Sequence, residues 1–132
     1  MTDILSRLDE AFNSHDPEQM AALFAEDYRS SQPVHPGREF VGRGQVFENW
    51  SAVFRGVPDF AARLVSSAGD GDTSVGEWEW SGWHVDGSAF SMRGVTILVV
   101  RDGLIAEGRL YMEPVDAGDS TIEEAVGDLY KP

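Results

Sequence analysis

The 132 residues suffice for one domain, expected to span 1–132, and an apolar fraction of 42% is ordinary for a globular chain. A formal net charge of −13 argues against nucleic-acid binding, which needs clustered Lys and Arg, and is best explained by solubility. The chain shows no Cys, no apolar run near the ~20 residues of a membrane span and no signal peptide, so we expect a cytoplasmic protein without a membrane partner.

Helical patterns dominate the first third of the chain. Apolar residues recur at helical spacing over 3–13, among them Leu5, Leu8 and Phe12. Asp16 is a predicted N-cap for a second helix, with Pro17 at its first position. Its apolar stripe predicts that this helix runs to about residues 27–28.

A Pro- and Gly-containing loop over 30–44 follows, with a short strand expected at Phe40-Val41. The spacing of Val46, Trp50 and Val53 predicts a third helix over 45–54. A strand is expected over 60–67. A capping box starting at Ser120 predicts a last short helix over 120–130, outside the core of about 4–115.

Two Asp-Gly pairs, 86–87 and 102–103, lie between segments rich in Trp, Val, Ile and Phe. Asp-Gly between such segments is a strong hairpin signal, because a type I′ turn needs positive φ at both central residues. We therefore predict three antiparallel strands over 75–84, 89–100 and 105–113. Helices followed by these strands indicate an α+β fold.

Two-residue turns would place Trp78 opposite Val95, and Val95 opposite Leu110. Because side chains alternate along a strand, the hairpins then present two different surfaces. The first is apolar with a single Arg and is the expected pocket face: Trp78, Trp80, Arg93, Val95, Ile97, Leu110 and Met112. The second combines charged residues with Leu98 and Val100: Glu77, Glu79, Arg109, Tyr111 and Glu113.

The middle of the 89–100 strand is apolar on both faces, so both faces of the sheet need cover. We expect helices on one face and a second copy of the protein on the other. Glu77, Glu79, Arg109, Tyr111 and Glu113 are the expected homodimer interface, since opposite charges across strands stabilise a sheet or a contact. An active site at this charged group is the alternative interpretation.

Few residues on the expected pocket face could carry chemistry. Arg93 could hold a carboxylate or enolate oxygen, or could extend to the rim over Trp80. His35, in the loop near the expected pocket mouth, could exchange protons or be a solvated loop residue. Trp50, Trp78 and Trp80 could be core residues, a ligand platform or both, and Tyr28 is a further pocket candidate. We expect no metal site and no cofactor.

Three segments resemble the nuclear transport factor 2-like superfamily and its SnoaL-like branch: FNSHDPEQMAALFAEDY, GRGQVFENWSAVFRGVPDF and FSMRGVTILVVRDGLIAEGRLYMEPV. The resemblance covers about residues 4–115. It implies a cone-shaped curved antiparallel sheet wrapped around N-terminal helices, an apolar pocket, and a dimer through the convex sheet face. Members include ketosteroid isomerases, polyketide cyclases and epoxide hydrolases.

The resemblance also implies where catalytic acids would lie, and this chain lacks them. The isomerase proton shuttle, an Asp before a Pro, corresponds to Gln32. The isomerase oxyanion-hole Tyr corresponds to Leu8, and its protonated Asp to Val95. The hydrolase Arg and Asp correspond to Trp78 and Trp80. The last-strand Asp of hydrolases and cyclases corresponds to Leu110.

We therefore expect a SnoaL-like protein that binds a small hydrophobic molecule in an apolar pocket formed by Tyr28, Trp50, Trp78, Trp80, Arg93, Val95, Leu110 and Met112. It could catalyse an isomerase-, cyclase- or hydrolase-type step, with Arg93, His35 and Gln32 as candidate polar participants. The alternative is a non-catalytic ligand-binding or dimerisation module of the same fold.

Overall fold

The computed structural model describes residues 3–130, which form a curved sheet and the helices that cover one of its faces. The elements in chain order are α1 (Ile4–Ser14), α2 (Pro17–Ala21), β1 (Phe24–Ser31), a 3₁₀ turn (Pro36–Arg38), β2 (Phe40–Val41), α3 (Arg43–Gly56), β3 (Ala61–Asp70), β4 (Thr73–Trp83), β5 (Ala89–Arg101), β6 (Leu104–Pro114) and α4 (Ile122–Leu129). Within these residues, no helix combines the length and apolar character needed to cross a membrane.

The six strands form one sheet in the order β2–β1–β6–β5–β4–β3. The β1–β6 pair is parallel and every other neighbouring pair is antiparallel. Helices followed by a curved sheet confirm the predicted α+β fold.

The first two helices begin where the sequence places them. The Asp16 side chain accepts a hydrogen bond from the Glu18 amide at 2.9 Å, as expected for an N-cap. The length of the second helix was predicted wrongly. It ends at Ala21, and residues from Phe24 onward form β1.

A helix-like pattern in β1 explains this error. Phe24 and Tyr28 are both buried, four residues apart, and their rings are in contact at 4.7 Å. Residues four apart lie on one face of a strand as well as on one face of a helix, so this spacing fits both structures. Pairing with β2 and β6 therefore overrides a local spacing that also fits a helix.

The second hairpin turn is as predicted, with φ of 53° at Asp102 and 77° at Gly103. The first turn is different. The His84 amide donates to the Ser88 carbonyl at 2.8 Å, so the loop has three residues, Val85 to Gly87. The longer loop moves the β4–β5 pairing by one residue, and Trp78 pairs with Gly94 rather than with Val95.

A β-bulge then changes the β5–β6 pairing. Val100 pairs with Ile105, but Val99 pairs with Glu107, which leaves Ala106 as the extra residue. Beyond the bulge, Met112 pairs with Gly94 and not, as predicted, with Arg93. The faces of β4 and β6 are therefore as predicted, whereas β5 presents the opposite set of side chains.

The helix-covered face contains the core. Trp78 is fully buried there, and its indole N–H donates to the Thr96 hydroxyl at 2.9 Å. Gly94 is required next to it, because a Cβ at this position would overlap the Tyr111 carbonyl. At this point of the core, β5 and β6 pack closely at Gly94, and the buried polar groups of Trp78 and Thr96 are hydrogen-bonded to each other.

The last helix is shorter than predicted and begins one residue later. Thr121, not Ser120, is the N-cap, and its hydroxyl accepts from the Glu124 amide at 3.2 Å. The side chains of Ile122 and Leu129 are exposed.

One edge of the sheet is protected by a side chain. The Asn13 amide donates to the Ala62 carbonyl at 3.0 Å, and the Ala62 amide donates to Asn13 at 2.9 Å. The Asn13 side chain thereby pairs with the backbone N–H and C=O of Ala62 on the edge strand β3, as a neighbouring strand would. Unpaired backbone groups at a sheet edge can otherwise pair with another chain.

Replacing Asn13 with Ala should lower the free energy of unfolding by about 1–2 kcal/mol, because two hydrogen bonds between α1 and β3 are lost. Urea denaturation measures this. Asn49→Ala is the matched control, since Gln45 is the one side-chain partner of Asn49 among residues 3–130. It should stay within about 0.5 kcal/mol of the wild type. Equal stability of both variants would contradict an edge-capping role for Asn13.

Candidate functional site

The helices do not fill the concave side of the sheet completely. A cavity of about 230 Å³ lies between α1, α3, β1 and the strands β4 to β6. This volume is somewhat below the ~300–1,000 Å³ of pockets that hold drug-sized ligands, so the cavity suits smaller ligands of up to about three rings.

One side of the cavity is an aromatic wall formed by Phe12, Trp50, Phe60, Trp80 and Phe90. The Trp50 and Trp80 rings are 5.4 Å apart and nearly perpendicular. Phe12 lies 5.0 Å from Trp50 and 5.3 Å from Trp80. These edge-to-face contacts fix the rings and leave a rigid apolar surface.

The strands β1 and β5 bring hydroxyl groups to the cavity. Tyr28, Ser30 and Thr96 line it and are all almost fully buried. Gly108 is needed behind Tyr28, because a Cβ at this position would overlap the Tyr28 hydroxyl. Burial raises the pKa of Tyr28 above its ordinary value of 10.0, and the nearby Ser30 hydroxyl offsets only part of this rise.

Two amide side chains, Gln32 and Asn49, line the less buried part of the cavity. The Gln32 carbonyl oxygen accepts a hydrogen bond from Arg38 at 3.0 Å. The Asn49 carbonyl oxygen accepts one from Gln45 at 2.7 Å. Each oxygen has a second lone pair, so both residues can offer a ligand an acceptor oxygen as well as amide N–H donors.

No Asp, Glu, His, Lys or Arg is among the cavity-lining residues within 3–130. The one ionisable lining group is Tyr28, which stays neutral at physiological pH. The cavity can therefore bind, orient and donate hydrogen bonds, but it lacks a side chain that accepts a proton near pH 7.

A model of the SnoaL-like domain family matches residues 5–108, which is most of the chain. The chain belongs to the SnoaL-like domain family. No curated protein matches the chain at a significant level. Its fold is also the nuclear transport factor 2-like fold of several solved structures.

Three solved structures show how similar this chain is to known proteins. A nuclear transport factor 2-like protein of unknown function from Mesorhizobium loti is 30% identical, with 83% of this chain and 88% of that chain covered and a TM-score of 0.66. IdmH of Streptomyces antibioticus, a candidate polyketide cyclase, is 25% identical, with 83% and 89% covered and a TM-score of 0.72.

A protein with a ketosteroid isomerase-like fold from Catenulispora acidiphila, solved with trimethylamine, is 16% identical. It covers 95% of both chains with a TM-score of 0.71, and at this identity it supports the fold alone.

Of the positions at which the resemblance would place catalytic residues, four line the cavity of this SnoaL-like protein: Leu8, Gln32, Trp80 and Leu110. Val95 does not, because the shifted β4–β5 register turns it to the opposite face of the sheet. Trp78 pairs with Gly94, and Leu110 pairs with Thr96, so the predicted row of Trp78, Val95 and Leu110 does not exist.

Arg93 is the main correction to the predicted site. It pairs with Glu79 across β4 and β5, and its Nε lies 3.9 Å from the Glu79 carboxylate on the outer face. Its side chain is 67% exposed. The residue that β5 contributes to the cavity at this level is Met92. Arg93 is therefore excluded as the polar group of the cavity.

The other predicted residues divide between the cavity and its surroundings. Tyr28, Trp50, Trp80 and Leu110 line the cavity, whereas Trp78 and Met112 are buried in the adjacent core. His35 is half-buried outside the cavity, where its Nε2 lies 2.7 Å from a Glu113 carboxylate oxygen. This contact ties the loop after β1 to the end of β6.

The outer face of the sheet contains the charged group predicted for an interface. Glu79 pairs with Arg63 at 3.1 Å and also approaches Arg93, and the Ser66 hydroxyl donates to Glu77 at 2.9 Å. Val95 and Ile97, predicted for the pocket, lie between these charges and are only partly buried.

Sequence reasoning missed Ser30, Phe60, Phe90, Met92 and Thr96 as cavity residues. Ser30 was missed because β1 was predicted as a helix followed by a loop. Met92 and Thr96 were missed because β5 was assigned with the wrong parity. Gly94 was the signal in the sequence that could have corrected the β5 assignment, because a glycine inside a strand often marks a place where another backbone comes very close.

Within residues 3–130, no three His, Asp or Glu side chains are arranged to hold a metal ion.

The raised pKa of Tyr28 predicts a pH dependence of stability. The folded state holds the phenolic proton more tightly than the unfolded state, so the stabilisation is fully present below about pH 10 and is lost as the pH rises through the folded-state pKa. The free energy of unfolding should fall more steeply above about pH 10 in the wild type than in Tyr28→Phe.

Urea denaturation at a series of pH values measures this difference. Tyr130→Phe, at a residue that is 80% exposed, is the matched control and should follow the wild type. Parallel curves for the wild type and Tyr28→Phe would show that Tyr28 does not titrate differently in the two states.

Proposed function

We propose that this SnoaL-like protein binds a small, uncharged and mostly apolar organic molecule in the cavity between its helices and its sheet. The observation that carries the proposal is the lining, which combines eight aromatic side chains with hydroxyl and amide groups and contains no charged side chain within residues 3–130. Burying apolar ligand surface there is favourable at ~25 cal/mol per Å². Burying an unpaired charge would be strongly unfavourable.

The cavity supports binding better than proton transfer. Isomerisation of a ketone needs a group that removes and returns a proton, and Gln32 cannot do this. His35 is in contact with Glu113 and does not line the cavity. Ligand binding without acid–base chemistry is therefore the first function we assign.

A cyclase-type step is the second candidate, favoured by the 25% identity with IdmH, a candidate polyketide cyclase. A rigid cavity can hold a flexible neutral substrate in the conformation that closes a ring, and orientation alone lowers reaction barriers substantially. In this case Tyr28 would assist as a neutral hydrogen-bond donor. Loss of turnover in Tyr28→Phe, with substrate affinity largely retained, would separate catalysis from binding.

Filling the cavity should abolish binding. The probe is N-phenyl-1-naphthylamine, an uncharged dye that fluoresces in apolar surroundings. Leu110 lines the cavity, so Leu110→Trp should weaken dye binding at least about tenfold while the protein stays folded. Val65→Trp, at an exposed position of β3, is the matched control and should bind as the wild type does.

Dye binding that is unchanged in Leu110→Trp would show that the cavity is not the site. As a second criterion, 1-naphthoate should compete much more weakly than naphthalene, because its carboxylate would have to be desolvated. Equal competition would contradict the preference for uncharged ligands.

The outer face of the sheet is, in our proposal, the interface of a homodimer. Its Glu77, Glu79 and Glu113 are accompanied by Arg63, Arg93 and Arg109, so the face is nearly balanced in charge on a chain of net charge −13. Two copies can approach through this face with the least repulsion, and Val95 and Ile97 supply apolar area in its centre.

The wild type should therefore elute with twice the mass of one chain in size-exclusion chromatography with light scattering. Val95→Glu should shift it to one chain, because a carboxylate would be buried at the centre of the interface. Val85→Glu, at an exposed residue of the β4–β5 loop, is the control and should remain dimeric. A monomeric wild type would exclude this interface.

A further inference from the structure

Three buried hydroxyl groups belong to the cavity lining. Tyr28 and Ser30 lie on β1, and Thr96 lies on β5, whereas the aromatic wall is formed by residues of α1, α3, β4 and β5 and by Phe60 just before β3. A ligand inside the cavity therefore meets both aromatic rings and hydroxyl groups.

The hydrogen bonds that these hydroxyl groups already make show which donors and acceptors they can still offer to a ligand. The Thr96 oxygen already accepts from the Trp78 indole at 2.9 Å. The Tyr28 hydroxyl lies against Gly108, and Ser30 is its nearby polar neighbour. Each hydroxyl has one proton to donate, and a Tyr–Ser pair that shares one hydrogen bond keeps one donor unused.

A second buried donor lies in the aromatic wall. The Trp80 indole N–H is buried and has no hydrogen-bond partner within residues 3–130. An indole nitrogen can only donate, so this group also needs an acceptor. Buried polar groups of native proteins are nearly always satisfied, and an unsatisfied one calls for an explanation. The Trp80 N–H is therefore a lining group that only an acceptor can satisfy, and no acceptor within residues 3–130 does so.

We propose that the cavity selects uncharged cyclic ligands that carry an acceptor oxygen, which receives a hydrogen bond from the Tyr28 hydroxyl while the ring packs on the aromatic wall. This inference rests on the proposed ligand-binding function and makes Tyr28 the residue that determines specificity. A carbonyl or ether oxygen meets the requirement. A carboxylate does not, because its charge would stay uncompensated in this lining.

The test uses two probes of the same ring system, 1-tetralone with a carbonyl oxygen and tetralin without one. Both are measured by displacement of N-phenyl-1-naphthylamine from the wild type, Tyr28→Phe and the control Tyr130→Phe. Tyr28→Phe should weaken 1-tetralone binding by about three- to tenfold, the effect of one lost hydrogen bond. Tetralin should change by less than about twofold.

A second measurement does not depend on affinity. The carbonyl stretching frequency of bound 1-tetralone should be lower in the wild type than in Tyr28→Phe, because a hydrogen bond weakens the C=O bond. Identical frequencies, or equal affinity losses for the two probes in Tyr28→Phe, would overturn the role of Tyr28 and leave ligand binding intact. Failure of the dye and both probes to bind the wild type would overturn the proposed function and this inference together.

Discussion

The parity of β5 decides what both faces of this protein can do. Side chains alternate along a strand, so a shift of one residue exchanges the complete set that faces the cavity for the set that faces outward. The three-residue loop before β5 and the bulge at Ala106 fix this parity. As a result Met92, Thr96 and Leu98 line the cavity, and Arg93, Val95 and Ile97 join the outer face.

Glycine enforces this arrangement from within the sheet. Gly94 faces the core at a point where any Cβ would overlap the Tyr111 carbonyl, and Gly108 leaves space for the Tyr28 hydroxyl. A slip of β5 by one residue would place a side chain against the Tyr111 carbonyl, where only Gly94 fits. The pairing of β5 with β6 therefore decides both how closely the two strands pack and where the cavity hydroxyl groups lie.

The apolar lining of the cavity determines which chemistry its polar side chains can perform. In other members of the superfamily, an apolar pocket makes carboxylic acids useful by raising their pKa toward neutrality. The resemblance would place such acids at Leu8, Gln32, Trp80 and Leu110, all of which line the cavity of this chain. Burial raises the pKa of Tyr28, so its hydroxyl stays protonated near pH 7 and can donate a hydrogen bond. Charged side chains of β3, β4 and β5 lie on the outer face, where Glu79 lies between Arg63 and Arg93.

The sequence by itself determined the α+β fold, the starts of the first two helices, the four long strands and the superfamily, because caps, Asp-Gly turns and hydrophobic periodicity act over a few residues. It also identified Tyr28, Trp50, Trp80 and Leu110 as residues beside the cavity. Only the tertiary structure decided that Phe24 to Ser31 is a strand, since that depends on pairing with β2 and β6. It also decided the place of Arg93, because turn length and bulges are set by packing across the whole sheet, and no local pattern in the chain reports them.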